Sequence, residues 1–379
     1  MTRKLIIALV VVCLGWTAFA AVLLWPDAGD RDSSADTLTS SETAAGGSGP
    51  DPEASGLDPE GPSGEGGDSS SALSDAGAAR IASGGATAPS VVATALPVPG
   101  GGPFAVQEAA APLAVRPRLK GPPSSGLLFD VDSGRVLWAR RPAAERPIAS
   151  LTKMMTALII AERHRPSEQV MIGAKAPRVE GSRIGVLKSG RRFPLGGLFL
   201  GLLLVSGNDA AVALAEHDSG SMGAFITRMN ARASELELGC SHFAGPAGLQ
   251  DTGNRSCAYD LAALARADLA NEWVASVTSR RSASVAFPIK GGSLELANNH
   301  YFAQRGIGIP GAEVTGLKTG FTNGAGRCYV TTARLGATHL GVIVLDSPDP
   351  IRQVPELFRA GFIAEGALAP KPKKPRGGS

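Results

Sequence analysis

The stretch PIASLTKMMTALII, residues 147–160, decides how the rest of the chain can be interpreted. Apart from one serine, two threonines and one lysine its positions are apolar, so it predicts a helix that is buried on most sides. Ser150 lies near the start of this helix, and Lys153 follows three residues later on the same face. A nucleophile beside its base would explain this pair, and so would an N-cap serine beside a solvated lysine. So short a pattern occurs by chance and does not decide between the two.

The chain begins with a segment suited to a membrane. Arg3 and Lys4 precede an apolar run over residues 5–25, which as a helix rising about 1.5 Å per residue would span the hydrocarbon core of about 30 Å. Residues 1–25 are therefore predicted to be a signal peptide or an N-terminal membrane anchor. The small residues Ala18 and Ala20 resemble a cleavage site, but the run continues beyond them and favours the anchor. In either case the basic start predicts export, to the outer face of the cytoplasmic membrane or the cell wall space.

A long polar region follows. Residues 26–122 are rich in Gly, Ser, Pro, Asp and Ala, and are predicted to be a disordered acidic spacer because they cannot bury enough apolar surface. Positions 26–80 carry twelve acidic residues and two arginines, so the remainder of the chain has a charge of about +13 for a total of +3. About six of these charges lie at the two chain ends, which include the basic, proline-rich tail, residues 366–379. The mildly basic domain between them, residues 123–365, suits an anionic wall or membrane surface and gives no indication of nucleic-acid binding.

Two of the four cysteines are candidates for a disulfide. Cys240 and Cys257 flank a polar loop in a chain predicted to be exported, and a bond between them would contribute about 3 kcal/mol of stability. Two small buried thiols are the alternative. No group of cysteines and histidines has metal-ligand spacing, so neither a metal nor an organic cofactor is predicted.

Within residues 123–365 the apolar pattern changes from strands to helices and back. A hairpin turning at residues 132–134 comes first, then the helix of Ser150 and the helices predicted over 195–205, 209–216, 223–238 and 259–269. Three antiparallel strands follow, over 312–320, 327–333 and 338–345, and a closing helix is predicted over 351–365. Strands from both ends of the domain would share one sheet, with the helical middle forming a lobe.

Three motifs stand in order along this domain: Ser150-x-x-Lys153, Ser206-x-Asn208 and Lys318-Thr319-Gly320. Their order is the signature of β-lactamases and penicillin-binding proteins. Longer segments around them carry a closer likeness, namely residues 147–150, 206–216, 248–249, 260–262 and 316–322. With these segments the chain resembles the D-alanyl-D-alanine carboxypeptidases, the low-molecular-mass penicillin-binding proteins of serine peptidase family S11, over about residues 126–362. The resemblance implies an α/β fold of the β-lactamase and transpeptidase type, in which helices flank an antiparallel sheet beside a helical lobe.

The resemblance implies three catalytic residues. Ser150 would attack the penultimate D-Ala carbonyl while Lys153 takes its proton, and Ser206 would relay a proton to the departing D-Ala. A free lysine is almost fully protonated at neutral pH because its pKa is about 10.4. Burial on an apolar helix and the second cation of Lys318 would lower the pKa of Lys153 and make it a base. Ser150 near a helix N-terminus gains a positive dipole and a free backbone N–H for an oxyanion.

The resemblance also implies five substrate-binding residues. Asn208 would orient the substrate amide, and Lys318 and Thr319 would hold the terminal carboxylate, which a cation and a hydroxyl on a strand edge suit. Gly320 would let the substrate approach the strand, and the N–H of Phe321 would complete the oxyanion hole. A helix-capping Asn208 and a solvated Lys318 are the plain alternatives. The five histidines lie outside every motif and are interpreted as surface or satisfied core residues (His164, His217, His242, His300 and His339).

The expected activity is removal of the terminal D-Ala from peptidoglycan pentapeptide stems through a Ser150 acyl-enzyme, with covalent binding of β-lactam antibiotics. An endopeptidase acting on wall cross-links and a non-catalytic wall-binding scaffold remain alternatives. A β-lactamase is disfavoured, because no Glu-x-x-Leu-Asn sequence follows the second motif. The segment 181–186 departs from the bulkier apolar sequence usual in the family and is expected to border the site.

Overall fold

The computed structural model describes residues 102–107, 113–249, 253–287 and 292–370. The predicted leader, most of the spacer and most of the basic tail lie outside these residues. Among the described residues, no helix combines the length and the apolar character needed to cross a bilayer.

A five-stranded antiparallel sheet forms the centre of the domain, in the order β2-β1-β11-β10-β9. Its strands are β1 (Ser125–Asp130), β2 (Val136–Arg140), β9 (Glu313–Thr322), β10 (Gly326–Leu335) and β11 (Thr338–Leu345). Smaller two-stranded sheets are formed by β3 (Arg146–Pro147) with β6 (Arg255–Ser256), β4 (Gln169–Met171) with β5 (Arg192–Pro194), and β7 (Ser282–Phe287) with β8 (Gly292–Ala297). Strands from the two ends of the domain thus share one sheet, as the apolar pattern predicted.

Eight α-helices accompany the strands in the described part of the chain. They are α1 (Lys153–Arg163), α2 (Leu195–Leu203), α3 (Asn208–Ser219), α4 (Met222–Glu235), α5 (Ala258–Ala270), α6 (Glu272–Thr278), α7 (Tyr301–Arg305) and α8 (Pro350–Ala364). Helices α1 to α6 pack among themselves, with α5 against β1 and β11, and α8 packs on β10 and β11. The predicted fold, an antiparallel sheet flanked by helices with a helical lobe, is confirmed.

The central strands are apolar on both faces because helices cover both. On β1, Leu127 and Phe129 belong to the core shared with α1 to α6, whereas Leu128 packs in the core under α8. Successive side chains of a strand point to opposite faces, which produces this division. Gly341 of β11 lies opposite Phe129, where a Cβ atom would come within 2.3 Å of the aromatic ring. The glycine therefore makes room for Phe129.

The predicted helix of Ser150 begins later than expected. Residues Ala149–Thr152 form a single 3-10 turn and α1 starts at Lys153. Ala149 has a φ of 48°, a left-handed conformation that only a tight turn imposes on alanine. Ser150 consequently lies on a bend before the helix, still one turn from Lys153.

The predicted spacer is also too long, because its C-terminal end packs on the domain. Val106 and Val115 are 3% and 4% exposed. The backbone N–H of Val115 donates to Leu137 O at 3.1 Å, and Arg266 donates through Nη1 to Phe104 O at 2.8 Å. The few apolar residues of this segment are covered only through tertiary contacts with distant elements, which its own composition does not reveal.

Candidate active site

Ser150 and Lys153 meet between the sheet and the helical lobe. Lys153 is fully buried, and its Nζ lies 2.9 Å from Ser150 Oγ. The same Nζ donates to Asn208 Oδ1 at 2.7 Å and to the Ala247 carbonyl at 2.6 Å. Two elements distant in sequence, the start of α3 and the loop of Ala247, therefore hold the lysine against the serine hydroxyl.

The surroundings of Lys153 favour its neutral form. Burial lowers its pKa well below the usual value, and the charge of Lys318 lowers it further, while Asp209 acts in the opposite direction. All three groups within hydrogen-bond distance are uncharged. A lysine that loses its proton readily beside a serine hydroxyl can act as a base.

The second motif forms the sharp turn between α2 and α3. Ser206 is 3% exposed and has a φ of 60°, and Asn208 is the first residue of α3. The Asn208 side chain does not cap the helix, so the capping interpretation is wrong. Its Nδ2 instead donates to Glu180 O at 2.7 Å while its Oδ1 accepts from Lys153. Asn208 thus joins the buried lysine to the loop at residues 180–185.

Asp209 fixes this loop, which the sequence predicted to border the site. Its carboxylate accepts the backbone N–H of Ile184 at 2.8 Å and of Gly185 at 2.9 Å. The Asn208 N–H donates to Ser182 O at 2.7 Å. Because the loop is attached to the start of α3, its position depends on the same turn that places Asn208.

The third motif lies on β9, an edge strand of the large sheet. Lys318 is 1% exposed, donates to Thr319 O at 2.9 Å, and has a pKa that burial lowers to about 7. The solvated-lysine interpretation of Lys318 is therefore wrong. A Cβ atom on Gly320 would lie 2.9 Å from Ser150 N, so the absence of a side chain lets β9 approach the turn that carries the serine.

Two exposed apolar side chains follow the motif residues. Phe321, directly after Gly320, is 64% exposed, and Leu249 is 44% exposed. A Cβ atom on Gly181 would lie 3.5 Å from Leu249 and 2.7 Å from Asn208, so Leu249 lies beside the 180–185 loop. Apolar surface is thus available near the polar site.

The loop between Cys240 and Cys257 contributes a contact that the sequence analysis did not assign. These cysteines form a disulfide with 5.6 Å between their Cα atoms. Within the loop, Ala247 supplies the carbonyl bound to Lys153. Gly248 has a φ of 78°, and a Cβ atom there would lie 2.0 Å from Ala149 O. The Gly248-Leu249 pair of the resemblance was the available signal, but a backbone carbonyl leaves no mark on the side-chain pattern.

The comparisons with known proteins agree with this geometry. The sequence model of peptidase family S11, described as D-alanyl-D-alanine carboxypeptidase, matches residues 118–349. The chain belongs to this family. The match covers the large sheet, the helical lobe and all three motifs.

Named relatives of the family carry more than one activity in their names. The D-alanyl-D-alanine carboxypeptidase DacB2 of Mycobacterium tuberculosis is 35% identical over 250 residues, covering 64% of this chain and 83% of that protein. The D-alanyl-D-alanine carboxypeptidase DacF of Bacillus subtilis is 32% identical, but the match spans only 58% of its length. A D-alanyl-D-alanine endopeptidase of Escherichia coli is 30% identical over 253 residues and 78% of its length.

Several solved structures share the fold. A D-alanyl-D-alanine carboxypeptidase of Mycobacterium tuberculosis superposes with a TM-score of 0.60 at 33% identity, over 68% of this chain and 97% of that one. Penicillin-binding protein 6B of Escherichia coli gives a TM-score of 0.59 at 31% identity, over 68% and 81%. A variant of the Streptomyces K15 DD-transpeptidase, 23% identical with a TM-score of 0.59, shares the fold alone.

Proposed function

We propose that this protein is a serine-type D-alanyl-D-alanine carboxypeptidase that removes the terminal D-Ala from peptidoglycan pentapeptide stems. The observation that carries the proposal is the contact of 2.9 Å between Ser150 Oγ and the buried Lys153 Nζ, whose pKa is lowered by burial. Membership of the S11 family and the agreement in fold support the same reaction class.

In the proposed first step Ser150 adds to the substrate carbonyl and forms a tetrahedral intermediate, which becomes an ester when the D-Ala leaves in the second step. The proton of Ser150 Oγ passes to Lys153 Nζ while Oγ bonds to the carbonyl carbon of the penultimate D-Ala. The negative charge that develops on the carbonyl oxygen is stabilised by backbone N–H groups, for which Ser150 and Phe321 are the candidates. The closeness of β9 to the Ser150 turn at Gly320 supports this pairing.

In the second step the bond to the terminal D-Ala breaks. Its nitrogen takes a proton that passes from Lys153 through the Ser206 hydroxyl, and the D-Ala leaves. Water then attacks the ester carbonyl, and the Ser150 hydroxyl is restored. With a β-lactam the broken C–N bond belongs to a ring, so the amine stays attached and a covalent penicilloyl-enzyme is expected.

Recognition of the substrate is assigned to the edge of β9. An extended stem peptide can lie along an edge strand, as peptides do when they add to a sheet. Lys318 and Thr319 would bind its C-terminal carboxylate, since that carboxylate favours the charged form of Lys318. Asn208 would hold the substrate amide between the 180–185 loop and Lys153.

Endopeptidase action on cross-linked stems is the second candidate. The observation that favours it is the likeness to the D-alanyl-D-alanine endopeptidase of Escherichia coli, which is nearly as great as that to DacF. Both reactions would use the same serine, because they differ only in what is attached to the departing D-amino acid. A non-catalytic scaffold is the third, and the contact between Ser150 and Lys153 argues against it.

The proposed setting is the outer face of the cytoplasmic membrane or the cell wall space. If residues 1–25 are retained they would anchor the protein, and the spacer would extend its reach into the wall by several tens of ångströms. The partners would then be peptidoglycan stems and β-lactams.

Covalent labelling with a fluorescent penicillin tests the nucleophile. The full-length protein should retain the label after denaturation, whereas Ser150→Ala should not, because its acyl acceptor is gone. The exposed Ser189 offers a control, since Ser189→Ala should label like the unaltered protein. Absence of labelling in unaltered protein that is folded by circular dichroism would favour the scaffold.

Substrate choice needs a second measurement. Release of D-Ala from a pentapeptide stem, compared at equal enzyme with cleavage of a cross-linked stem dimer, separates the two peptidases. Faster turnover of the pentapeptide is expected. Cleavage of the dimer alone would replace the carboxypeptidase by the endopeptidase.

A further inference from the structure

A second cluster of functional side chains lies away from Ser150, at the C-terminal ends of α1 and α3. His164 follows the last residue of α1, Glu168 lies in the next loop, and His217 lies in the last turn of α3. The sequence showed no metal-ligand spacing because the third residue is far along the chain from the first two. Folding brings one ligand atom of each to within 4.8 Å of the others.

The distances within this cluster fit a metal ion. Glu168 Oε2 lies 2.9 Å from His164 Nδ1 and 3.2 Å from His217 Nε2. Bonds of about 2.0–2.1 Å to a tetrahedral zinc ion separate neighbouring ligand atoms by about 3.3 Å. Small side-chain adjustments would therefore accommodate the ion between the three atoms.

Both ring nitrogens of His164 lie against carboxylates. Its Nδ1 lies 2.9 Å from Glu168 Oε2 and its Nε2 lies 3.0 Å from Asp218 Oδ1. A neutral imidazole has a single N–H, so it can donate to only one of these carboxylates. Either a second proton or a metal ion on Nδ1 resolves the conflict, and with a metal ion Nε2–H still donates to Asp218.

Asp218 is placed as the outer carboxylate of a metal-binding histidine. Its side chain is fully buried, and it also accepts from Arg163 Nε at 2.7 Å and pairs with Arg228 Nε at 2.9 Å. Histidine ligands commonly donate their other ring N–H to such a carboxylate, which fixes the orientation of the ring. The two arginines hold Asp218 in position for this role.

Glu168 is held in a similar way. Its Oε1 accepts the backbone N–H of Arg165 at 2.6 Å, which leaves Oε2 directed at the two histidines. The C-terminal ends of α1 and α3 add negative dipole charge, which favours a cation.

We propose that His164 Nδ1, Glu168 Oε2 and His217 Nε2 bind a zinc ion, with water as the fourth ligand. Two imidazoles and one carboxylate form a ligand set that suits zinc, whereas calcium and magnesium prefer oxygen ligands alone. The ion would join α1 to α3 at the ends opposite Ser150 and Asn208. Since α1 has 11 residues, the ion would be about 16 Å from the start of that helix. The ion would therefore lie away from Ser150, and its binding does not depend on the proposed peptidase activity.

Calorimetric titration tests the site. Full-length protein freed of metal with a chelator is titrated with Zn²⁺ beside the variants Glu168→Gln and His217→Gln. One equivalent should bind to the unaltered protein, and each variant should bind at least about tenfold more weakly. His242→Gln is the matched control, because His242 is exposed and lies in the disulfide loop. Its affinity should equal that of the unaltered protein.

Thermal unfolding gives an independent readout. Zn²⁺ should raise the Tm of the unaltered protein and of His242→Gln, because a ligand that binds the folded state stabilises it. The rise should be smaller for the two site variants. The proposal would be overturned if the unaltered protein bound no saturable equivalent of Zn²⁺. It would also be overturned if Glu168→Gln and His217→Gln bound Zn²⁺ as tightly as the unaltered protein does. Penicillin labelling of Ser150 would be unaffected by that result, so the two proposals fail separately.

Discussion

The two ends of the helix pair α1 and α3 differ in the groups that surround a basic side chain: neutral groups at one end, carboxylates at the other. At their N-terminal ends Lys153 meets Asn208, and at their C-terminal ends His164 meets Asp218, so the helices run in the same direction. The ammonium of Lys153 is buried among a hydroxyl, an amide oxygen and a backbone carbonyl. The histidines at the other end lie against two carboxylates and remain partly exposed.

This difference explains how one helix pair can lower the pKa of a lysine at one end and attract a cation at the other. Neutral dipoles satisfy hydrogen bonds but return little of the hydration energy that a buried charge loses, so the pKa of Lys153 falls. The positive ends of two helices act in the same direction. At the other ends of the two helices, carboxylates and the negative ends of the helix dipoles attract a cation. The predictions below test the two ends in turn.

Lys153→Met should have the largest effect. Removal of a general base costs about 10²- to 10⁴-fold in rate, so the second-order rate of acylation by fluorescent penicillin should fall within that range. The substitution also replaces a fully buried amine by an apolar side chain of similar length, so stability should change far less than the rate. Stopped-flow labelling and thermal unfolding measure the two quantities.

The exposed Lys175 provides the control, because Lys175→Met makes the same side-chain exchange at the surface. Its acylation rate should remain near that of the unaltered protein. If Lys153→Met kept a comparable rate, another group would have to be the base, and the contrast between the two helix ends would lose its catalytic meaning.

Lys318→Met should have an intermediate effect. Loss of a charge-assisted hydrogen bond of about 1.5–3 kcal/mol predicts a fall of about 10- to 100-fold in kcat/KM for substrates that end in a carboxylate. The pKa of Lys318 is lowered to about 7 by burial, and its charged form predominates below that value. In the unaltered protein kcat/KM should therefore decline as pH rises through this region.

The pH profile separates this role from a structural one. The decline of kcat/KM with rising pH should be absent in Lys318→Met. The same variant should raise the pKa of Lys153, because the Lys318 charge that helps to lower it is gone. A decline that persists unchanged in Lys318→Met would show that Lys318 does not bind the carboxylate.

The sequence predicted the parts of the site that depend on local pattern. The strand β9 and the helices α1 and α3 could be identified from their apolar periodicity, and the three motifs from their order along the chain and the resemblance to the family. The contact of Lys153 with Ala247 and the role of Asp209 could not, since backbone groups and loop positions follow from tertiary packing. The cluster at His164 escaped for the same reason, as its three members look like ordinary surface residues when taken singly.

Among the elements that were not predicted are a hairpin and a short helix. The hairpin of β7 and β8 was missed because its residues are largely exposed and its apolar alternation is weak. The short helix α6 follows Asn271, whose side chain caps it by accepting from Trp273 and Val274 N–H groups. With only seven residues, this helix shows too few turns for a periodic signal.

Glu168→Gln should have the smallest effect when no metal is bound. The Glu168 side chain is 36% exposed and its ion pairs with His164 and His217 lie near solvent, where such pairs contribute about 0–1 kcal/mol. In the presence of a chelator the Tm should therefore fall by less than about 4 °C, and the rate of Ser150 acylation should not change. A fall of more than tenfold in that rate would show that the two ends of the helix pair are coupled, because a change among the partly exposed charges would then alter the buried base.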